Sequence, residues 1–155
     1  MKKFIKTIAF AITLISGLNA FSQTQVGGPK TISTCEAQCP FGSCKAKCES
    51  NVGAAACGCV YGFPACGCGG SDAIGPVGVD NENKENLNLL LQHLQVYTSV
   101  EAFNLRLKVQ EYRSLADSNP EANFNPLILE IIATCETLNV IEKTNYTNFL
   151  NTLIN

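Results

Sequence analysis

Residues 35–68 read CEAQCPFGSCKAKCESNVGAAACGCVYGFPACGC and contain eight of the nine cysteines of this 155-residue chain. The eight form two Cys-x-x-x-Cys pairs and two Cys-x-Cys pairs: Cys35 and Cys39, Cys44 and Cys48, Cys57 and Cys59, Cys66 and Cys68. The segment has few large apolar side chains, so a hydrophobic core alone would not hold it together. We therefore expect all eight cysteines to form disulfides, each contributing about 2–4 kcal/mol to stability.

The spacing of the cysteines predicts how they are arranged. Residues four apart lie on one face of a helix, about one 5.4 Å turn from each other, and residues two apart lie about 6.6 Å apart on one face of a strand. A helical turn with Cys-x-x-x-Cys can therefore lie across a strand with Cys-x-Cys and be joined to it by two bridges. We expect residues 35–39 and 44–48 to be two short helical turns, because residues 40–43, Pro-Phe-Gly-Ser, are typical of a turn between them.

The second half of the cysteine block predicts a β-hairpin. Residues 57–59 and 66–68 would form its strands, with an exposed aromatic tip at Tyr61-Gly62-Phe63. Pro64 and the glycines are unfavourable in strands, so an irregular loop framework is the alternative. Because aromatic residues are favoured at recognition surfaces, we expect Tyr61 and Phe63 to contact a partner, either an unknown protein or a surface ligand.

These eight cysteines resemble the cystine-stabilised helix-and-strand motif of defensins and scorpion-type toxins, in which the same two spacings pin a helix to a hairpin. This chain departs from the motif in having both elements twice and a long tail after them. We expect each Cys-x-x-x-Cys pair to bridge one Cys-x-Cys pair. Cysteines two apart should not bridge each other, because so small a ring would strain the disulfide torsion.

The chain after Asp80 has the apolar spacing of amphipathic helices, with start signals at the capping box Thr98–Glu101 and at Asn125-Pro126. The four apolar stripes are Leu87, Leu90, Leu91 and Leu94; Val100, Phe103, Leu105, Leu107, Val109, Tyr112 and Ala116; Leu127, Ile128, Ile131, Ile132, Cys135 and Leu138; and Tyr146, Phe149, Leu150 and Leu153. Short helices of this kind bury their stripes against one another, which predicts a small antiparallel bundle at 85–155. A looser array completed by a partner chain is the alternative.

The predicted fold is thus a small disulfide-rich N-terminal module, of short helical turns plus a hairpin, followed by an all-α small helical bundle. A Gly/Pro-rich linker at 69–84 would separate the two regions, since its glycines and proline do not sustain regular structure.

The first 22 residues have the order of a secretory signal peptide. A lysine-rich start precedes an apolar run from Ile8 to Leu18, and small residues then predict cleavage after Ser22. The run is too short for a permanent membrane anchor, which needs about 20 apolar residues. We therefore expect an exported protein, extracellular or periplasmic, with a polar lead and the cysteine-rich module at 23–68.

The charge of the mature chain disfavours nucleic-acid binding. Without the signal, 8 basic residues face 13 acidic ones, a net charge of −5. Binding to nucleic acid needs a basic face that displaces counterions from phosphates, and we expect no such partner.

Thiolate chemistry is the main alternative to structural disulfides. Cys-x-Cys repeats resemble those of metallothioneins, whose thiolates bind zinc or copper, but export to an oxidising compartment favours disulfides. A thiol-disulfide oxidoreductase would carry Cys-x-x-Cys, which does not occur in this sequence. A small antimicrobial or toxin-like effector is a further alternative, and only the predicted geometry of the disulfides supports it.

Catalysis by His93 and Cys135 is the least favoured hypothesis. Cys135 lies on the apolar stripe of the third helix, where a thiol behaves as a small hydrophobe, and His93 is expected to be solvated at a helix edge. We see no activated nucleophile and expect neither catalytic activity nor a cofactor. As an odd cysteine in an exported protein, Cys135 could instead join two chains in a homodimer.

Overall fold

The computed structural model describes residues 32–49, 54–69 and 77–154. The predicted signal peptide, the lead up to residue 31 and residues 70–76 of the predicted linker lie outside these residues. The elements of the described part are β1 (Ile32–Cys39), β2 (Gly42–Glu49), β3 (Ala55–Val60), β4 (Phe63–Cys68), β5 (Val77–Gly78), α1 (Asn81–His93), a 3-10 turn (Leu94–Val96), α2 (Val100–Ser118), α3 (Asn125–Thr137) and α4 (Val140–Ile154). Strand hairpins are therefore followed by helices, as the predicted order of the two regions requires.

The first two cysteine pairs lie on strands, so the prediction of short helical turns at residues 35–39 and 44–48 is wrong. β1 and β2 form an antiparallel hairpin closed by the two residues Pro40 and Phe41. Residues along β2 alternate between buried and exposed, which is the period of a strand. Glu36 lies opposite Lys45, with the carboxylate oxygen 3.1 Å from Nζ, so the charged residues share the outer face.

The hairpin predicted at residues 57–68 is present as β3 and β4. Cys57 lies directly opposite Cys66 in this antiparallel pair, and the turn consists of Tyr61 and Gly62. β5 pairs with β2, which gives a three-stranded sheet in the order β1-β2-β5. β5 therefore lies inside the range predicted to be a linker.

The first helix begins at Asn81, four residues before the predicted start of the bundle, because Asp80 caps it. The Asp80 carboxylate accepts a hydrogen bond from the Asn83 backbone N–H, and the Asn83 side chain accepts one from the Asp80 N–H in return. This reciprocal arrangement satisfies two of the free donors at a helix start. The linker therefore ends before Asp80 rather than at residue 84.

The start of α2 differs from the predicted capping box by one residue. Ser99, and not Thr98, is the N-cap, and its Oγ accepts a hydrogen bond from the Ala102 backbone N–H at 3.0 Å. The carboxylate that bonds the Ser99 N–H comes from Glu142 of α4, at 3.1 Å, and not from Glu101. A contact between two helices thus replaces the local one that the sequence pattern predicts.

The hairpins and the helices share one hydrophobic core. Phe41 and Phe63, one from each hairpin, pack into the same cluster as the helical residues Leu87, Leu105 and Tyr112, and all five side chains are fully buried. A smaller cluster surrounds the cysteines between the hairpins. The two predicted regions are therefore parts of one packed unit.

One face of α2 departs from the predicted core. Val100, Phe103 and Leu107 are 70%, 49% and 48% exposed, although their spacing suggested burial. Leu105 and Val109 face the core instead, and residues on the opposite side of the same helix must then point outward. None of the helices in the described residues is long and apolar enough to cross a bilayer.

Candidate functional site

Four disulfides join the two hairpins strand to strand, and we call residues 32–49 and 54–69 with these bonds the stapled hairpins. β1 is joined to β3 by Cys35–Cys57 and Cys39–Cys59, and β2 to β4 by Cys44–Cys66 and Cys48–Cys68. The bridged Cα atoms are 5.6 to 5.9 Å apart, the usual range for a disulfide. Each Cys-x-x-x-Cys pair thus faces one Cys-x-Cys pair, as predicted.

The two halves of the stapled hairpins repeat at an offset of nine residues. Cys35-Glu-Ala-Gln-Cys39 becomes Cys44-Lys-Ala-Lys-Cys48, and Ala56-Cys-Gly-Cys59 becomes Ala65-Cys-Gly-Cys68. The residue between the cysteines on the inner face is alanine in both longer segments. Its small side chain leaves room for the second hairpin to approach, which explains how the same pairing fits twice.

Sulfur atoms take the place of a conventional core between the hairpins. Cys44, Cys48 and Cys66 are at most 2% exposed and cluster with Ala46. At the end away from the turns, the Ala55 backbone N–H donates a hydrogen bond to the Ser33 hydroxyl at 2.7 Å, the one noncovalent bond there that crosses directly from β3 to β1 among the described residues. Away from the turns, covalent bonds therefore carry most of the cohesion between the two hairpins.

The turns of both hairpins insert into the helical region. The Phe41 N–H donates to the Gly62 carbonyl at 3.1 Å, which joins the two turns, and the rings of Phe41 and Phe63 lie 4.9 Å apart. The buried Tyr112 hydroxyl of α2 donates to the Phe41 carbonyl at 3.0 Å. From α1, the Asn86 amide donates to the Pro40 carbonyl at 3.1 Å. Two helices therefore bond the backbone of the first turn.

Tyr61 in the second turn contacts α3 and α4. Its hydroxyl donates to Glu136 at 2.6 Å, and its carbonyl accepts a hydrogen bond from the Tyr146 hydroxyl at 2.8 Å. Lys143 also bonds the Glu136 carboxylate, at 3.1 Å. The hydrogen bond from Tyr61, followed by that from Lys143, lowers the pKa of Glu136, and burial together with this carboxylate raises the pKa of Tyr61.

The exposure predicted for the aromatic tip is therefore not observed. Phe63 is fully buried, with its ring 5.6 Å from that of Tyr112, and Tyr61 is half-buried against the helices. The tip contacts partners within the chain rather than presenting two free rings. The sequence contained no signal for Tyr112, Glu136 or Tyr146 as these partners, since each lies more than 45 residues further along the chain.

Cys135 lies on the buried stripe of α3, as predicted, and has no disulfide partner. Burial raises the pKa of its thiol to about 12, so at neutral pH the sulfur stays protonated and poorly nucleophilic. A disulfide between two chains would require Cys135 to leave this core.

His93 was predicted to be solvated, but it is half-buried. Its ring stacks on that of Phe149, with centroids 4.5 Å apart, and its Nε2 lies 2.9 Å from the Tyr97 hydroxyl. These contacts join the end of α1 to α4, which gives His93 a packing role.

Three cysteines from three strands approach one another at the centre of the stapled hairpins. The Sγ atoms of Cys35, Cys57 and Cys66 all lie within 4.8 Å of one another. Cys57 and Cys66 are cross-strand neighbours, and Cys35 belongs to the other hairpin. The bridges Cys35–Cys57 and Cys44–Cys66 are therefore adjacent, and their four sulfur atoms come one from each of β1 to β4.

Comparison of this chain with models of known protein families, with curated proteins and with solved structures finds no match.

Proposed function

We propose that this protein is an exported, disulfide-stapled structural or binding module without catalytic activity. The observation that carries the proposal is the set of four disulfides between two hairpins, which pack against each other mainly through cysteine and alanine side chains away from their turns. Disulfides persist in oxidising compartments and are rare in the cytosol, so a fold that depends on them fits a protein sent out of the cell. The signal-like first 22 residues support the same destination.

The disulfides have a clear structural task. Each closes a separation of 20 or 22 residues, and closing a loop of this size contributes about 3 kcal/mol by restricting the unfolded chain. The bonds hold two turns side by side so that Phe41 and Phe63 enter the helical core together. The stapled hairpins thus complete the hydrophobic core of the helical region.

The nucleophile candidates argue against catalysis. Cys135 is fully buried and its pKa is raised, whereas a catalytic cysteine needs an accessible thiolate. The other eight cysteines are bonded in pairs. The geometry therefore supports a module that acts through its shape and surface.

Mass spectrometry of the intact protein recovered from its natural location tests this proposal. The sample is treated with a thiol-alkylating reagent without reductant. We expect a chain that begins at Gln23 and carries no label, with Cys135 becoming labelled only after denaturation. Label on any cysteine between residues 35 and 68, or a chain that retains residues 1–22, would overturn the proposal.

A further inference from the structure

A cleft open to solvent lies between α4 and the residues at the end of α1, and we call it the α1–α4 cleft. Its volume is about 370 Å³, and its lining includes His93, Tyr97, Asn145, Asn148 and Phe149. Asn148 and Phe149 follow Asn145 by three and four positions, so the three residues share one face of α4. Pockets that bind small molecules have volumes from about 300 Å³ upward, so the cleft has room for one small ring.

Aromatic rings form the deeper part of the α1–α4 cleft. The His93 ring stacks on that of Phe149 and meets that of Tyr97 edge to face, with the latter centroids 5.3 Å apart. Tyr97 is buried and the other two rings are half-buried, whereas Asn145 and Asn148 are exposed. The rings therefore hold one another in place and offer apolar surface on which C–H groups of a ligand can pack.

The rim of the α1–α4 cleft carries two side-chain amides that can hydrogen-bond a ligand. Neither the Asn145 amide nor the Asn148 amide has a hydrogen-bonding partner within the part of the chain that the structure describes. Each amide offers two N–H donors and a carbonyl acceptor. A hydroxyl group both donates and accepts, so one amide can bond two neighbouring hydroxyls of the same ligand.

The lining of the α1–α4 cleft does not favour a charged ligand. None of the described residues that line it is an acid, a lysine or an arginine. Burial, followed by the charge of Glu142, raises the pKa of Tyr97 to about 12, so its hydroxyl stays neutral at neutral pH. A second cleft, between α2 and α3, differs in both respects, because Lys108 and Glu111 line it and its described lining has no aromatic ring.

We propose that the α1–α4 cleft binds one pyranose ring of a neutral carbohydrate. The C–H face of the sugar packs against the aromatic rings, and its hydroxyls bond the amides of Asn145 and Asn148. An ion would find no countercharge in the cleft, and a purely aromatic ligand would leave both amides without partners. This inference goes beyond the proposed function, because the cleft lies on the helices and involves none of the disulfides.

NMR titration of the full chain, with its disulfides intact, tests the inference. The ¹⁵N-labelled protein is titrated separately with the methyl glycosides of glucose, galactose, mannose and N-acetylglucosamine, and with glucuronate as a charged sugar. One variant is Asn145→Ala with Asn148→Ala, which removes both amides of the cleft. The control is Asn88→Ala with Asn104→Ala, which removes two exposed helical amides elsewhere. Alanine favours a helix at all four positions, so both variants should fold.

We expect at least one neutral glycoside to cause saturable shifts of the residues that line the cleft. The cleft variant should bind this glycoside about 10-fold more weakly, because it loses two hydrogen bonds, and the control should bind like the native chain. The absence of shifts with every neutral glycoside, equal weakening in the two variants, or equally tight binding of glucuronate would overturn the inference. None of these results depends on export or on disulfide pairing, so they are distinct from a failure of the proposed function.

Discussion

Tyr61 and Gly62 adopt left-handed backbone conformations, with φ of 51° and 83°. A two-residue hairpin turn with positive φ at both positions matches the twist of the strands, and it favours glycine. Tyr61 accepts this conformation because its hydroxyl and its carbonyl are both hydrogen-bonded to helices. Single residues in the turn thus decide how the stapled hairpins meet the helices.

Replacing Gly62 by alanine should lower the free energy of unfolding by about 1–3 kcal/mol. The added Cβ would lie 2.6 Å from the Phe41 ring and 2.9 Å from the Leu150 side chain, in a backbone conformation that other residues rarely adopt. Gly58→Ala, in the same hairpin, is the control, because its Cβ would meet nothing within 4 Å. Denaturant unfolding with the disulfides intact measures both, and an equal effect of the two changes would contradict the described turn.

The buried thiol of Cys135 predicts a loss of stability at alkaline pH. Its pKa is raised from an ordinary value near 9 to about 12, so between these values the unfolded chain releases a proton that the folded chain keeps. The folded state therefore loses stability as pH rises above 9, and this contribution is constant below that value.

Unfolding of the native chain and of Cys135→Ala between pH 7 and pH 10.5 isolates this effect. The tyrosines contribute to both proteins, so the difference between them reports the thiol. We expect the advantage of the native chain over the variant to shrink above pH 9. A difference that does not change with pH would show that Cys135 is accessible to solvent.

At the scale of elements, the second hairpin and the helices were predictable from local pattern, whereas the first hairpin was not. Cysteines four apart lie on one face of a helical turn, but also on one face of a strand, so their spacing does not discriminate. The alternation of small and charged residues in Cys44-Lys45-Ala46-Lys47-Cys48 is the signal that favours a strand. This alternation is short, and the pairing of β1 with β2 determines that the segment is a strand.

The orientation of α2 is tested by two leucines two residues apart. Leu105 is fully buried and Leu107 is 48% exposed. Leu105→Ala should lower the free energy of unfolding by about 2–5 kcal/mol, because it leaves a cavity, and Leu107→Ala by less than about 1 kcal/mol. Denaturant unfolding of both variants checks this, and the reverse order would mean that the other face of the helix is buried.

At the scale of the whole molecule, the shared core could not be predicted from the sequence. Periodicity identifies which side of a helix is apolar, but the hydrogen bond from Tyr112 to Phe41 joins residues 71 positions apart. The prediction of an exposed aromatic tip was wrong for the same reason, since no local pattern shows that a turn inserts into distant helices. The pairing of Cys-x-x-x-Cys with Cys-x-Cys segments was predicted correctly, but from a helical geometry that the structure does not have, since both longer segments are strands.

A shared core predicts that a change in the hairpin lowers the melting temperature of the helices. Phe63→Ala should destabilise the helices by about 3–5 kcal/mol, although the residue lies in β4. Val60→Ala, on the more exposed strand partner opposite Phe63, is the control and should have little effect. Far-UV circular dichroism follows the helices, and an unchanged helical transition in Phe63→Ala would mean that the two regions fold separately.

The most direct test of the account is the disulfide map of the oxidised protein. The chain is cleaved between cysteines without reduction, and the linked peptides are sequenced by tandem mass spectrometry. We expect bonds from Cys35 to Cys57, Cys39 to Cys59, Cys44 to Cys66 and Cys48 to Cys68, with Cys135 free. Bonds within one hairpin, or free thiols among these eight, would contradict the claim that covalent bonds join one hairpin to the other.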